Sequence, residues 1–146
     1  MINVLITDDE PHILAGLRMS ADWAGMGFDI AAEASDGAAA LDKIKLIRPA
    51  LVVIDLAMPG IKGIDVIKQA RGGGFSGHFI ILSGGRDFAA AQAAINHGVI
   101  QYLSKPIDPD ELTAALLLAK QKIQADGLME ENAIHQAHDP FDEIFR

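Results

Sequence analysis

Asp8, Asp9 and Glu10 stand in a row near the N-terminus, Asp55 ends one apolar run, Ser83 ends another, and Lys105-Pro106 follows a third. These residues offer carboxylate oxygens, one hydroxyl and one ammonium. Carboxylates brought together repel one another, and without a counter-charge at least one tends to keep its proton. A divalent cation resolves that conflict. Oxygen ligands without His or Cys favour a hard ion such as Mg²⁺, held by one or two carboxylates and completed by water and phosphate oxygens. An aspartate beside Mg²⁺ is a competent nucleophile towards phosphorus. Phosphoryl transfer then needs positioning and neutralisation of the equatorial oxygens, which a metal, a lysine and a hydroxyl supply. Each fragment alone is ambiguous, since an Asp-Asp pair reads equally well as a helix N-cap. Four separate strand ends that all supply one chemistry are the stronger signal.

Those residues need a scaffold that brings strand ends together. Short β-branched runs at 2–7, 28–34, 51–54, 79–83 and 100–103 alternate with periodic Ala/Leu-rich segments at 11–20, 38–47, 64–71, 88–97 and 109–123. That alternation marks βαβ units on a parallel sheet, whose ligands bind outside the carboxyl ends of the strands. The first, third and fourth runs are nearly all apolar, as strands covered on both faces must be. Asp108, Pro109 and Glu111 form the clearest helix start, with cap, first-turn proline and capping-box acid. Gly72-Gly73-Gly74 ends the third helix and Gly98 the fourth. After about residue 124 the pattern decays through Asp126-Gly127, so 1–123 is expected to form the domain and 124–146 a tail or the start of a linker.

The chain has 146 residues, half of them hydrophobic, enough for one domain with a sizeable core. Twelve Lys and Arg against 20 Asp and Glu leave a net charge of −8, a poor footprint for nucleic acid. Cysteine is absent, which removes disulfides, thiolate metal sites and cysteine nucleophiles. The first residues have no basic stretch followed by a signal core, and no later run approaches about 18 apolar residues, so a cytoplasmic chain without membrane contact is expected.

The motifs in order, Asp8-Asp9-Glu10-Pro11, Asp36-Gly37, Asp55-Leu56-Ala57-Met58-Pro59-Gly60, Leu82-Ser83-Gly84, Gly98-Val99, Tyr102 and Lys105-Pro106, resemble the receiver domain of two-component response regulators over roughly residues 2–123. The resemblance implies a flavodoxin-like (βα)5 fold, a doubly wound parallel sheet of order 2-1-3-4-5. It implies that Asp55 accepts a phosphoryl group from a sensor histidine kinase. Asp8, Asp9, Asp55 and the backbone carbonyl of Ala57 would hold Mg²⁺. Lys105 would pair with a phosphoryl oxygen, with a cis peptide bond to Pro106. Ser83 would turn its hydroxyl to the phosphoryl group, and Tyr102 would change rotamer as the aromatic switch. The face built by the fourth helix, fifth strand and fifth helix is the one that family members use to dimerise or to dock output domains. Such a protein is a switch and not an enzyme in the ordinary sense, its chemistry being transfer onto Asp55 and hydrolysis.

Asp22-Trp23, Gly27-Phe28 and Asp87-Phe88 are similar to receivers joined to AraC-type helix-turn-helix domains. The residues after 123 are too few for such a module. The expectation is therefore a receiver from a longer transcription regulator, touching DNA only through an output domain outside this chain; a stand-alone receiver is the alternative. Ala57 and Gly85 are small where receivers often carry longer polar side chains, which would leave the phosphoryl lifetime to loop shape and water access. Thr7, in place of an apolar strand residue, reads as harmless.

Several features read as packing. Trp23 with Phe28 is a plug below the first helix, and Phe88, Ala91, Ala94 and Ile95 recur at the spacing of a buried stripe. His135 and His138 lie three apart, the spacing of a metal pair on a helix, but lack a partner ligand; Phe141, Ile144 and Phe145 read as a remnant of the tail, with a short docking helix as the alternative. A Mg²⁺-dependent phosphohydrolase is the rival from another class, but it needs a second carboxylate two residues after the nucleophile, where Ala57 stands. A nucleotide-binding Rossmann domain is disfavoured, because Asp8-Asp9 replaces the glycine-rich phosphate loop.

Overall fold

The computed structural model describes residues 1–84 and 88–138, with the side chains of 88, 90, 91 and 128–138 left aside. The expectations for Gly85, Asp87, Phe141, Ile144 and Phe145, and for the side chains of Phe88, Ala91, His135 and His138, lie outside the described residues.

Among the described residues strands and helices alternate: β1 (Ile2–Thr7), α1 (Pro11–Met19), β2 (Phe28–Ala34), α2 (Gly37–Ile47), β3 (Leu51–Asp55), α3 (Gly63–Gly72), β4 (His78–Ser83), α4 (Phe88–Ile95), β5 (Val99–Ser104) and α5 (Pro109–His138). All strand pairs are parallel and the order is β2-β1-β3-β4-β5, the order that the resemblance implies. The apolar runs of β1, β3 and β4 are the buried central strands, because helices cover both faces of the sheet there. Side chains alternate between the faces. Val4, Ile6, Leu51, Val53, Ile80 and Leu82 join one core with Leu14 and Leu17 of α1 and Leu112 and Leu116 of α5. Leu5, Val52, Ile54, Phe79 and Ile81 join the other with residues of α2 and α3 and with Ala94 of α4. Trp23 and Phe28 pack edge to face at 6.2 Å, and the Trp23 indole N–H donates to the Leu17 carbonyl, so the plug is structural.

Local chemistry sets the helix ends. Asp36 caps α2 by accepting the Ala39 N–H at 2.7 Å, and Asp108 accepts the Asp110 N–H at 2.8 Å at the start of α5. Gly74 and Gly98 take positive φ beyond α3 and α4, as their glycine stops predict. Two expectations need correction. α5 does not stop at Ile123 but continues to His138, because residues 124–138 are mostly good helix formers and Gly127 alone costs only about 1 kcal/mol inside a helix. Nor is the α4 stripe wholly buried: Ala94 is enclosed, whereas Ile95 is 67% exposed, since α4 leaves part of its apolar surface uncovered. Among the described residues no helix is long and apolar enough to cross a membrane.

Candidate functional site: an acidic pocket at the carboxyl ends of the strands

Sheet register brings the expected residues level. Thr7 pairs with Ile54, Asp55 with Leu82 and Ser83 with Ser104, so Asp8, Asp55, Ser83 and Lys105 emerge at one edge of the sheet. The Asp8 N–H donates to the Ala34 carbonyl at 3.1 Å, and the Lys105 N–H donates to the Ser83 carbonyl at 2.7 Å. The Lys105-Pro106 peptide is cis, as expected. Where the chain leaves Asp55, Leu56 N–H donates to the Leu82 carbonyl and Gly63 N–H returns to Leu56. A Cβ on Gly63 would stand 2.3 Å from the Asp55 carbonyl oxygen, so only glycine lets α3 start this close to the end of β3.

Asp8, Asp55 and Ser83 are buried, Asp9 is exposed, and Lys105 is largely enclosed. The Lys105 ammonium lies 2.8 Å from Asp8 Oδ2, 3.4 Å from Asp55 Oδ2 and 3.6 Å from Glu10 Oε2. Asp8 Oδ1 accepts the Glu10 N–H at 2.9 Å, and Asp55 Oδ1 accepts the Ala57 N–H at 3.3 Å. Burial pushes the Asp55 carboxyl above its usual range; the Ala57 N–H opposes this, the Asp8 charge adds to it, and Lys105 opposes it. Burial also disfavours the Lys105 ammonium. Contact with Asp8 and the charges of Asp55 and Asp8 outweigh that, and hold its pKa above the ordinary lysine value.

Asp8 and Asp9 therefore do not serve as the helix cap. Glu10 occupies the cap position of α1 and makes no side-chain cap bond, while the Asp8 carboxylate meets Lys105. One ligand oxygen from each of Asp8, Asp9 and Asp55 lies within 4.8 Å of the others. Asp8 Oδ2 is fully enclosed, with the Lys105 ammonium 2.8 Å away. A buried carboxylate oxygen so placed, in an all-oxygen cluster of three acids against one ammonium, fits a hard divalent cation.

Tyr102 lies apart from the acids, half-buried on β5 opposite Ile81, beside a cavity of about 400 Å³ lined also by Ile95 and Val99. Sequence reasoning noticed Glu10 among the acids but assigned it no part in the site. It missed Gly63, whose only signal was its place eight residues after Asp55. Thr7 is not simply harmless. Its hydroxyl is buried, without a hydrogen-bond partner among the described residues.

The family model described as the response regulator receiver domain matches residues 4–117. YesN of Bacillus subtilis, an uncharacterized transcriptional regulatory protein, is 30% identical over 139 residues, which cover 95% of this chain and 38% of YesN. The transcriptional regulatory protein HptR of Staphylococcus aureus is 31% identical over 146 residues, covering 100% of this chain and 57% of HptR. The chain thus spans from 38% to 57% of the length of these curated relatives. Among solved structures, the REC domain of AraT, a response regulator from Geobacillus stearothermophilus, superposes with a TM-score of 0.82 at 37% identity, covering 87% of this chain and 99% of that one. A two-component transcriptional regulator AraC from Clostridium phytofermentans superposes with a TM-score of 0.78 at 30% identity, covering 86% and 97%. The 2-1-3-4-5 sheet, the acid cluster and the family match agree, and the chain belongs to the response regulator receiver domain family.

Proposed function

We propose that this receiver is a phosphorylation-dependent switch in the cytoplasm, with Asp55 as phosphoacceptor and Mg²⁺ as the ion held by Asp8, Asp9, Asp55 and the Ala57 carbonyl. The observation that carries the reading is the buried Asp55 carboxylate, with the Lys105 ammonium 3.4 Å away and two further acids within ligand distance. A carboxylate oxygen of Asp55 attacks phosphorus of the kinase phosphohistidine. The new P–O bond forms as the P–N bond breaks, and the imidazole leaves with the bonding electron pair. Lys105 neutralises a phosphoryl oxygen, and the Ser83 hydroxyl donates to another. When bound, Mg²⁺ supplies counter-charge to the acids and to the developing phosphoryl charge. Hydrolysis later breaks the bond between phosphorus and Asp55, with water as acceptor. A receiver is a signalling domain and not a classical enzyme, and this chemistry is limited to its own side chain.

The charge gained at Asp55 draws Ser83 and biases Tyr102 inward, a local electrostatic event acting on a two-state element. The surface of α4, β5 and α5, where Ile95, Leu117 and Leu118 are exposed, carries the signal through dimerisation or docking. Residues 1–123 form the switch, and 124–146 lead towards a DNA-binding output domain, as the transcriptional regulators among the relatives suggest. Incubation with a small phosphodonor and Mg²⁺, read by intact mass, tests the site. One phosphoryl group is expected on the wild type and none on Asp55→Asn; retained labelling would overturn the assignment.

A further inference from the structure

The strand that ends at Ser83 begins at His78. One buried strand therefore has the hydroxyl of the acidic pocket at one end and a largely enclosed imidazole at the other. His78 Nε2 lies 2.6 Å from Asp126 Oδ2 on α5, 48 residues along the chain. This contact falls where the helix leaves the body. Ile123 still packs against the core, but one turn later α5 passes over a cavity of about 450 Å³ walled by Arg48, Phe75, His78, Ile123, Asp126 and Gly127. At Asp126 the helix thus borders the cavity, and among the described residues the tie to His78 links it to the sheet there. Lys45 and Arg48 line the same cavity and bring positive charge to this side of the helix. Gly127, the next residue, is the poorest helix former in this stretch, and a turn that contains it bends or frays first without support.

We propose that His78 and Asp126 form a latch that sets the direction in which the C-terminal part of α5 leaves the receiver. The chain spans only part of the length of its curated relatives, and a segment that follows the helix would be oriented by the latch. The pair is partly exposed, with Asp126 at 53%, and contacts of that kind are modest. It therefore holds a preferred direction against bending and not a rigid joint.

The chain contains no cysteine, so Lys68→Cys and Gln136→Cys give two unique spin-label sites, one on the exposed side of α3 and one beyond the latch. Double electron–electron resonance on the full chain reads the distribution of label distances. Asp126→Ala and His78→Ala should each broaden it about two-fold, and the double variant should broaden it no further, as expected of two residues acting through one contact. Asp126 is exposed enough for its alanine variant to keep the wild-type melting curve, so a change in width reports direction and not unfolding. A wild-type width in Asp126→Ala, or additive broadening in the double variant, would overturn the latch.

Discussion

The Lys105 ammonium stands closer to Asp8 than to the candidate phosphoacceptor, 2.8 Å against 3.4 Å, and Asp8 is the acid with no exposed surface. In this arrangement the lysine is first the counter-charge of a buried carboxylate. Removing one partner of such a pair leaves an uncompensated charge. Lys105→Met should therefore lower the stability of the metal-free protein by about 2–4 kcal/mol, read by urea denaturation in a chelating buffer. Added Mg²⁺ should recover part of the loss, because the ion replaces the missing positive charge. A loss that Mg²⁺ leaves untouched would place the role of Lys105 in packing alone.

Asp55 should act in the opposite direction. Burial raises the pKa of its carboxyl above 3.8, the ordinary value, so the folded state holds this proton more tightly than the unfolded chain does. Such a group favours folding below the unfolded value, and that contribution is lost as pH rises through the folded one. At neutral pH the ionised carboxylate then costs stability. Without Mg²⁺, Asp55→Asn should stabilise the protein by about 1 kcal/mol at pH 7, with the gain shrinking as pH falls towards 3.8. Calorimetric melting at several pH values measures both.

Thr7 buries a hydroxyl that has no hydrogen-bond partner among the described residues. An unmatched buried polar group costs about 1–3 kcal/mol, and valine has nearly the same shape. Thr7→Val should raise the melting temperature by about 2–4 °C, the shift expected from about 1 kcal/mol in a domain of this size. A lower melting temperature would show that the hydroxyl is satisfied in solution.

Gly63 presses against the backbone of Asp55, where a methyl group would meet the carbonyl oxygen at 2.3 Å. Backbone atoms cannot yield as a flexible side chain does. Gly63→Ala should cost about 3 kcal/mol or more, and in amide NMR spectra its shift changes should centre on residues 55–63. A stability equal to wild type would mean that α3 moves away freely.

Arg71 ties three segments below the sheet. Its guanidinium donates to the carbonyls of His97 at 2.8 Å, Phe75 at 2.8 Å and Gly77 at 2.6 Å, and lies over the rings of Phe75 and Phe79. A lysine keeps the charge but not the planar fork. Arg71→Lys should cost about 1–3 kcal/mol and increase hydrogen exchange at residues 75–77 and 97–98. Unchanged exchange there would refute the clamp.

Much of the fold was legible because its signals are local. Apolar runs bounded by Gly, Pro and Asp located every strand, and the acids after 7 and 54 belonged to strand ends before any pairing was known. The run past Gly127 was misread because Asp-Gly is a turn signal in isolation, whereas helix formers on both sides carry α5 through it. Ile95 was misread because helical periodicity marks an apolar face without showing whether another element covers it.

The order and type of the elements, the glycine stops of α3 and α4 and the residue types at the acidic edge follow from local sequence. That Lys105 leans on Asp8, that Gly63 meets the Asp55 carbonyl, that Arg71 reaches the end of α4 and that His78 meets Asp126 emerge when the chain folds. The reason is physical. Periodicity and capping act within a few residues, while these contacts join residues eight or more positions apart and depend on sheet register and on the path of the loops and helices around the sheet.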